Sequence, residues 1–325
     1  MFLGFGCQQV QNNEEAAIGG AEDLSETIYT TFVINTHDWV NAEQSIDTLN
    51  KIIDLHEEYQ LPVDIYLNDP VVQIYKEQTP ELLERLKTSP FVAVSYHLRP
   101  PSPYYWDFDW LGFDKMNNKE IEATLRDYEE HEIDLATGEP TGEPGGYELL
   151  KNLMGYSPIV ATAMGKGQVE EILAKIFKEK GVKFSLTHSG TTGWQEMKNG
   201  LWMRPEDLEV KVYEPRGRKS GEKILTEALD ALPKTRPAFL NLKWHENNFY
   251  FAGTPWGGIY WNNKEDRGVT SPPWDFSKAG ADGRDLSESE QKEQWQRYEE
   301  CLEYVKNHPE IFTAINARDL AEMIE

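Results

Sequence analysis

Cysteine is almost absent. Cys7 and Cys301 are the only two in 325 residues, so neither a disulfide framework nor a cysteine metal cluster can be built. No segment is long and apolar enough to span a membrane. Positive charge is scarce: 32 Lys and Arg stand against 56 Asp and Glu, a net charge of −24. Such a surface repels phosphate backbones, which makes nucleic acid a poor partner; the plainer use of the charge is solubility, in a salty medium for instance. The first strand-to-helix turn carries no Gly-x-Gly-x-x-Gly, and neither a Walker-type loop nor an internal repeat occurs, so nucleotide binding has little support.

What is present is a folded chain rich in aromatics. Hydrophobic residues make up 39% and charged residues 27%, enough for one large α/β domain or two ordinary ones. Aromatics reach 12%, with ten Trp, a composition suited to stacking on sugar rings. At the N-terminus, Met1–Gly6 is short and apolar, Cys7 follows, and a polar tract runs from Gln11 to Glu26. This resembles the end of a bacterial lipoprotein signal, with Gly4 where that motif usually has Leu. The expectation is a lipidated Cys7, a tether over residues 1–26, a bacterial envelope location, and membrane contact through that anchor alone.

From Ile28 on, β-like and helical segments alternate. Strands are expected at Ile28–Thr36, Pro62–Leu67, Phe91–Tyr96, Pro158–Ala163, Val182–Thr187, Leu208–Tyr213, Ala238–Trp244 and Phe312–Ile315. Helices are expected at Ala42–Tyr59, Val71–Tyr75, Pro80–Lys87, Asn118–Arg126, Tyr147–Met154, Gln168–Lys180, Glu222–Leu232, Ser287–Asn307 and Ala317–Ile324. Tyr128–Tyr147 reads as a hairpin-like excursion. Two long loops, Leu98–Met116 and Asn247–Asp285, interrupt the alternation; loops of that length are usually functional. The pattern predicts a seven- or eight-stranded (β/α) barrel, TIM-like, forming one domain over 27–325, with an open doubly wound sheet as the alternative.

Four of the seven histidines, His37, His97, His188 and His245, each directly follow an expected strand. In a parallel barrel the strand C-termini share one face, so these four should converge there with Asp38. His56, His131 and His308 are expected at the surface. Imidazoles beside a carboxylate support metal-assisted hydrolysis or acid–base catalysis.

The stretch Thr31–Leu67, in its order of strand, His37-Asp38, helix and then Tyr59-Gln-Leu-Pro-Val-Asp-Ile-Tyr-Leu67, resembles the opening of the polysaccharide deacetylases, carbohydrate esterase family four. Pro80–Leu86 and Phe91–His97 continue the likeness, and Phe239–His245 resembles the family's late strand ending in histidine. The order of elements is matched over most of 28–325; a His-Asp pair closing strand one is also similar to the metal-dependent α-mannosidase type barrels. The resemblance implies a metal-dependent hydrolase that removes acetyl groups from a poly- or oligosaccharide. Asp38 and His97 stand at positions of metal ligands, and His245 at that of the general acid. His37 stands where the family has its base aspartate. Pro101 occupies the position of the second metal histidine, and His188 is this chain's own candidate for a third ligand. The implied metal is zinc, with cobalt, nickel or manganese as alternatives.

Around that centre, Arg99 is a candidate to orient a charged substituent or hold Asp38. Tyr105, Trp106, Trp110, Trp194, Trp256 and Trp261 are candidate sugar platforms. Glu246, with the loop carboxylates Asp107, Asp109 and Asp114, keeps a glycosidase with two carboxylates in view. A glycan-binding protein that has lost its metal site is the third reading.

Overall fold

The computed structural model describes residues 27–186, 191–212, 219–262 and 268–325. In chain order the elements begin β1 (Ile28–Thr36), α1 (Ala42–Tyr59), β2 (Val63–Leu67), α2 (Asp69–Gln78), α3 (Pro80–Thr88), β3 (Val92–Tyr96) and α4 (Asn118–Glu130). They continue β4 (His131–Ile133), β5 (Pro140–Pro144), α5 (Gly146–Met154), α6 (Gln168–Glu179), β6 (Phe184–Ser185), β7 (Met197–Lys198), β8 (Leu201–Met203) and β9 (Leu208–Lys211). The last are α7 (Gly221–Ala231), β10 (Ala238–His245), β11 (Phe251–Ala252), α8 (Gly257–Tyr260), β12 (Arg284–Asp285), α9 (Glu288–Asn307), β13 (Phe312–Ala314) and α10 (Ala317–Met323).

The core is a parallel sheet in the order β3-β2-β1-β10-β9, with β13 against the start of β1. All of β1 is buried, as expected for a central parallel strand covered on both faces. Its partner β10 runs in register from Ile28 opposite Ala238 to Asn35 opposite His245. Because side chains alternate, Tyr29, Thr31, Val33 and Asn35 share one face with Phe239, Asn241, Lys243 and His245. The other face, with Phe32, Ile34, Leu240 and Leu242, packs under α1 and its neighbours in the main apolar core.

Strands four and five of the sequence reading are much shorter than expected. Over Pro158–Ala163 only Val160 and Ala161 pair, by single parallel bridges to Phe184 and Tyr96. Of the fifth expected strand, Val182–Thr187, only Phe184–Ser185 forms a ladder among the described residues, with β8. The sheet therefore lacks a continuous ring of ladders among the described residues. The hairpin β7–β8 falls where the sequence reads as a Gly/Thr-rich loop and the start of a connection. The excursion after α4 is indeed a hairpin, β4 against β5.

His56 is not at the surface. It lies one turn beyond Ile52 and Ile53 on the inward face of α1 and is fully buried. Its Nδ1 is 2.8 Å from the Leu61 carbonyl and its Nε2 is 2.6 Å from the Tyr298 hydroxyl. Nδ1–H therefore donates, Nε2 accepts, and the ring is neutral. Burial lowers its pKa from an ordinary 6.5 to about 4. A depressed histidine contributes stability above its unfolded pKa and loses it as pH falls through 6.5 toward the folded value. At ~1.4 kcal/mol per unit, wild type should lose roughly 3 kcal/mol through this group across that window. His56→Gln should be less stable at neutral pH but flatter with acid in urea unfolding; parallel pH profiles would contradict this.

Candidate functional site

The alternation that sorts the sheet's faces also sorts the residues at its edge. Continuing the inner face of β1 beyond Asn35 gives His37, while Asp38 belongs to the helix side. The inner face of β3 continues from Ala93 and Ser95 to His97. β10 ends on His245, opposite Asn35. Three of the four strand-end histidines thus come to one edge. His188 lies outside the described residues, as does Cys7.

His37 has both ring nitrogens engaged. Arg99 Nε donates to Nδ1 at 3.0 Å, so the proton sits on Nε2, which donates to Asn247 Oδ1 at 3.1 Å. Burial, reinforced by the Arg99 charge, holds the His37 pKa well below the usual imidazole range. The ring stands edge-on to His245, centroids 4.6 Å apart, and to Trp256 at 5.6 Å. His97 lies against the same cation. Arg99 Nη1 is 2.9 Å from its Nδ1 and 2.8 Å from its Nε2, and Nδ1 is also 2.8 Å from the Leu98 carbonyl. The guanidinium therefore lies between the two imidazoles, taking the Nδ1 lone pair of His37 and resting against both nitrogens of His97.

Asp38 is a turn anchor. Its Oδ1 accepts the backbone N–H groups of Val40 and Asn41 at 2.9 and 3.0 Å, closing the turn into α1. Its Oδ2 accepts Asn41 Nδ2 at 2.9 Å and the Tyr250 hydroxyl at 2.8 Å. Burial raises its pKa above the ordinary carboxylate value.

Glu246, expected among substrate-binding groups, is fully buried on the helix side of the strand end. Its Oε1 accepts the backbone N–H groups of His37, at 2.6 Å, and Asp38. Its Oε2 makes no hydrogen bond among the described residues and lies 3.8 Å from His37 Nε2. Burial, with the Asp38 charge beside it, pushes the carboxyl up to about 8. Glu246 fixes the end of β1 from behind and is out of reach of a substrate.

The described members of the donor set expected for a divalent metal, Asp38 and His97, do not fit this geometry. Asp38 spends four acceptor positions on its own turn and on Tyr250, and a permanent cation, Arg99, lies against both ring nitrogens of His97 and against Nδ1 of His37. A divalent ion 4 Å from a guanidinium would meet a repulsion of about 8 kcal/mol at an effective dielectric of 20. Among the described residues no group of three or more His, Cys, Asp or Glu side chains is arranged to hold a metal.

Arg99, His37 and His245 line a pocket of about 140 Å³ together with Tyr105, Trp256, Trp261, Thr254 and Asp282. The Arg99 guanidinium also sits over the Tyr105 ring, 5.0 Å from its centroid. Trp106, beside Tyr105, is 41% exposed and has a left-handed backbone at φ 53°. It is held there by its N–H to the Met164 carbonyl at 3.2 Å. Other aromatics pin loops. Trp110 donates to the Pro101 carbonyl at 3.0 Å and stands edge-on to Trp274. Trp194 does not reach the pocket; it stacks on Phe239, near the opposite end of β10. Asn247, Thr254, Tyr250 and Asp282 are site residues the sequence reading did not single out, and their loop carries no motif that would have found them.

No family model and no curated protein matches the chain. Solved structures do. A Mycobacterium smegmatis protein described as a polysaccharide deacetylase aligns over 95% of this chain and 94% of its own, with a TM-score of 0.50 and 11% identity. In fold, this chain is similar to a polysaccharide deacetylase. The peptidoglycan deacetylase PdaC from Bacillus subtilis aligns over 92% of each chain, with a TM-score of 0.40 and 10% identity. A 4-alpha-glucanotransferase from Thermococcus litoralis aligns over 91% of this chain at a TM-score of 0.47 and 12% identity, and this chain spans 40% of it. At such identities the likeness is one of fold.

Proposed function

We propose that this chain is a carbohydrate hydrolase that removes an acetyl group from a poly- or oligosaccharide. The carrying observation is the pocket itself, which His245 and Arg99 line together with Tyr105, Trp256 and Trp261. Aromatic walls suit a sugar ring, and a cation beside an imidazole suits acyl hydrolysis. In this reading water attacks the acyl carbon and His245 takes its proton. The Arg99 guanidinium faces the oxygen on which negative charge develops. His245 then returns the proton to the departing amine or alcohol, and acetate leaves.

The bridges from Tyr96 to Ala161 and from Val160 to Phe184, the β6–β8 ladder, and the pairing of β9 with β10 support a seven- or eight-stranded (β/α) barrel in one domain over 27–325. A tether over residues 1–26, lipidated at Cys7 and held at a bacterial envelope, remains part of the proposal on sequence grounds.

The test is acetate release from acetylated oligosaccharides, assayed beside reducing-end release. Acetate without new reducing ends is the expected result, and new reducing ends without acetate would move the protein to the glycosidases. Saturable sugar binding with neither product would favour the glycan-binding reading, which the full engagement of Asp38 supports.

A further inference from the structure

The space between the two histidines, which a metal would need at this site, is taken by a side chain of the same protein. We propose that the Arg99 guanidinium is the resident cation of the pocket. It occupies the space between His37 and His97, and its pocket side binds the acyl or carboxylate oxygen of the ligand.

Three observations carry this. First, both rings meet the guanidinium. His37 is fixed as an acceptor at Nδ1 by its Nε2 donation to Asn247, and it presents that lone pair to Arg99 Nε at 3.0 Å. His97 has Arg99 Nη1 against both ring nitrogens, 2.9 Å from Nδ1 and 2.8 Å from Nε2. Second, the guanidinium is held rather than passing through. It is part of a side chain only 5% exposed, and Nη1 also donates to the Leu98 carbonyl at 3.0 Å. Third, the same group borders the pocket beside His245. A planar fork can serve both tasks, since one edge can bind the imidazoles while another meets a ligand oxygen, and it keeps its charge at every working pH. The inference rests on the proposed hydrolysis for the ligand's identity, and not for the position of the cation.

The test uses the whole protein and follows the imidazole nitrogen signals of His37 and His97 by NMR, with zinc chloride and then sodium acetate as probes. Zinc should leave both signals in place in wild type and move both in Arg99→Ala, where the lone pairs are released. Acetate should give saturable shifts in the His37 and Trp256 signals of wild type and none in Arg99→Ala. Arg99→Lys, which keeps the charge and loses the fork, should still resist zinc and bind acetate at least tenfold more weakly; it also covers the case in which the alanine variant does not fold.

Zinc moving both histidine signals in wild type would overturn the proposal, as would acetate binding equally well in wild type and Arg99→Lys. These results are separable from those for the function. Acetylated sugars that yield no acetate, with zinc still excluded, would remove the hydrolysis and leave the cation in place. Hydrolysis that needs zinc bound to His37 and His97 would do the reverse.

Discussion

Arg204→Ala should lower the free energy of unfolding by about 3–5 kcal/mol, a large share of the ~5–15 kcal/mol that holds a typical domain together. The reason is what the arginine leaves behind. Its Nη2 donates to Asp64 Oδ2 at 3.0 Å and to Thr31 Oγ1 at 2.8 Å, and Asp64 is fully buried. The remaining Asp64 oxygen accepts the Ala317 N–H at 2.8 Å, so the carboxylate ties β2 to the start of α10. Thr31 in turn donates to Asn241, across the β1–β10 pairing. Removing the cation leaves a fully buried carboxylate without its counter-charge. Removing both charges is a different case. Arg204→Met combined with Asp64→Leu should cost clearly less than the sum of the two single changes, because the double variant buries no lone charge. Urea unfolding of wild type, Arg204→Ala, these two single variants and the double reads this directly. An Arg204→Ala protein within about 1 kcal/mol of wild type would show that the buried pair carries little.

This network marks the boundary of what can be read from the chain. The ends of β1, α1 and β10 follow from β-branched runs and helical spacing, and the structure places β1 and α1 at the expected residues. The alternation Phe-Leu-Asn-Leu-Lys-Trp-His in β10 is legible as two faces, with Asn241, Lys243 and His245 on the inner one. In β1 the signal is fainter, because a strand buried on both faces is apolar on both. That is why parity did not separate His37 from Asp38 in the sequence, although it separates them in space. His56 shows the same limit in a helix. Its spacing from Ile52 and Ile53 pointed inward, but its polarity pointed outward, and tertiary packing decided. Arg204 carried no local signal at all. It lies just beyond β8, and its role depends on Asp64, which is 140 residues away in sequence. The position of Arg99 was open for a related reason. A guanidinium between two imidazoles is a property of rotamers and tautomers, and residue order does not encode it.

His245→Asn should lower kcat/KM for acetate release by roughly 10²–10⁴, the range expected when a positioned acid–base group is lost. The structure separates this histidine from His37, the other candidate. His37 is deep, neutral and engaged at both nitrogens, by Arg99 and by Asn247. A proton taken up by His37 would require it to give up the Arg99 bond. His245 is half-buried at the end of β10 and borders the pocket. The two variants should differ in kind. His245→Asn should abolish the limb of the pH–rate profile that reports its ionisation and leave the unfolding midpoint close to that of wild type. His37→Asn should keep that limb and act through Arg99, by raising KM and loosening the fold. An unaltered pH profile in His245→Asn, with activity retained, would remove His245 from the chemistry.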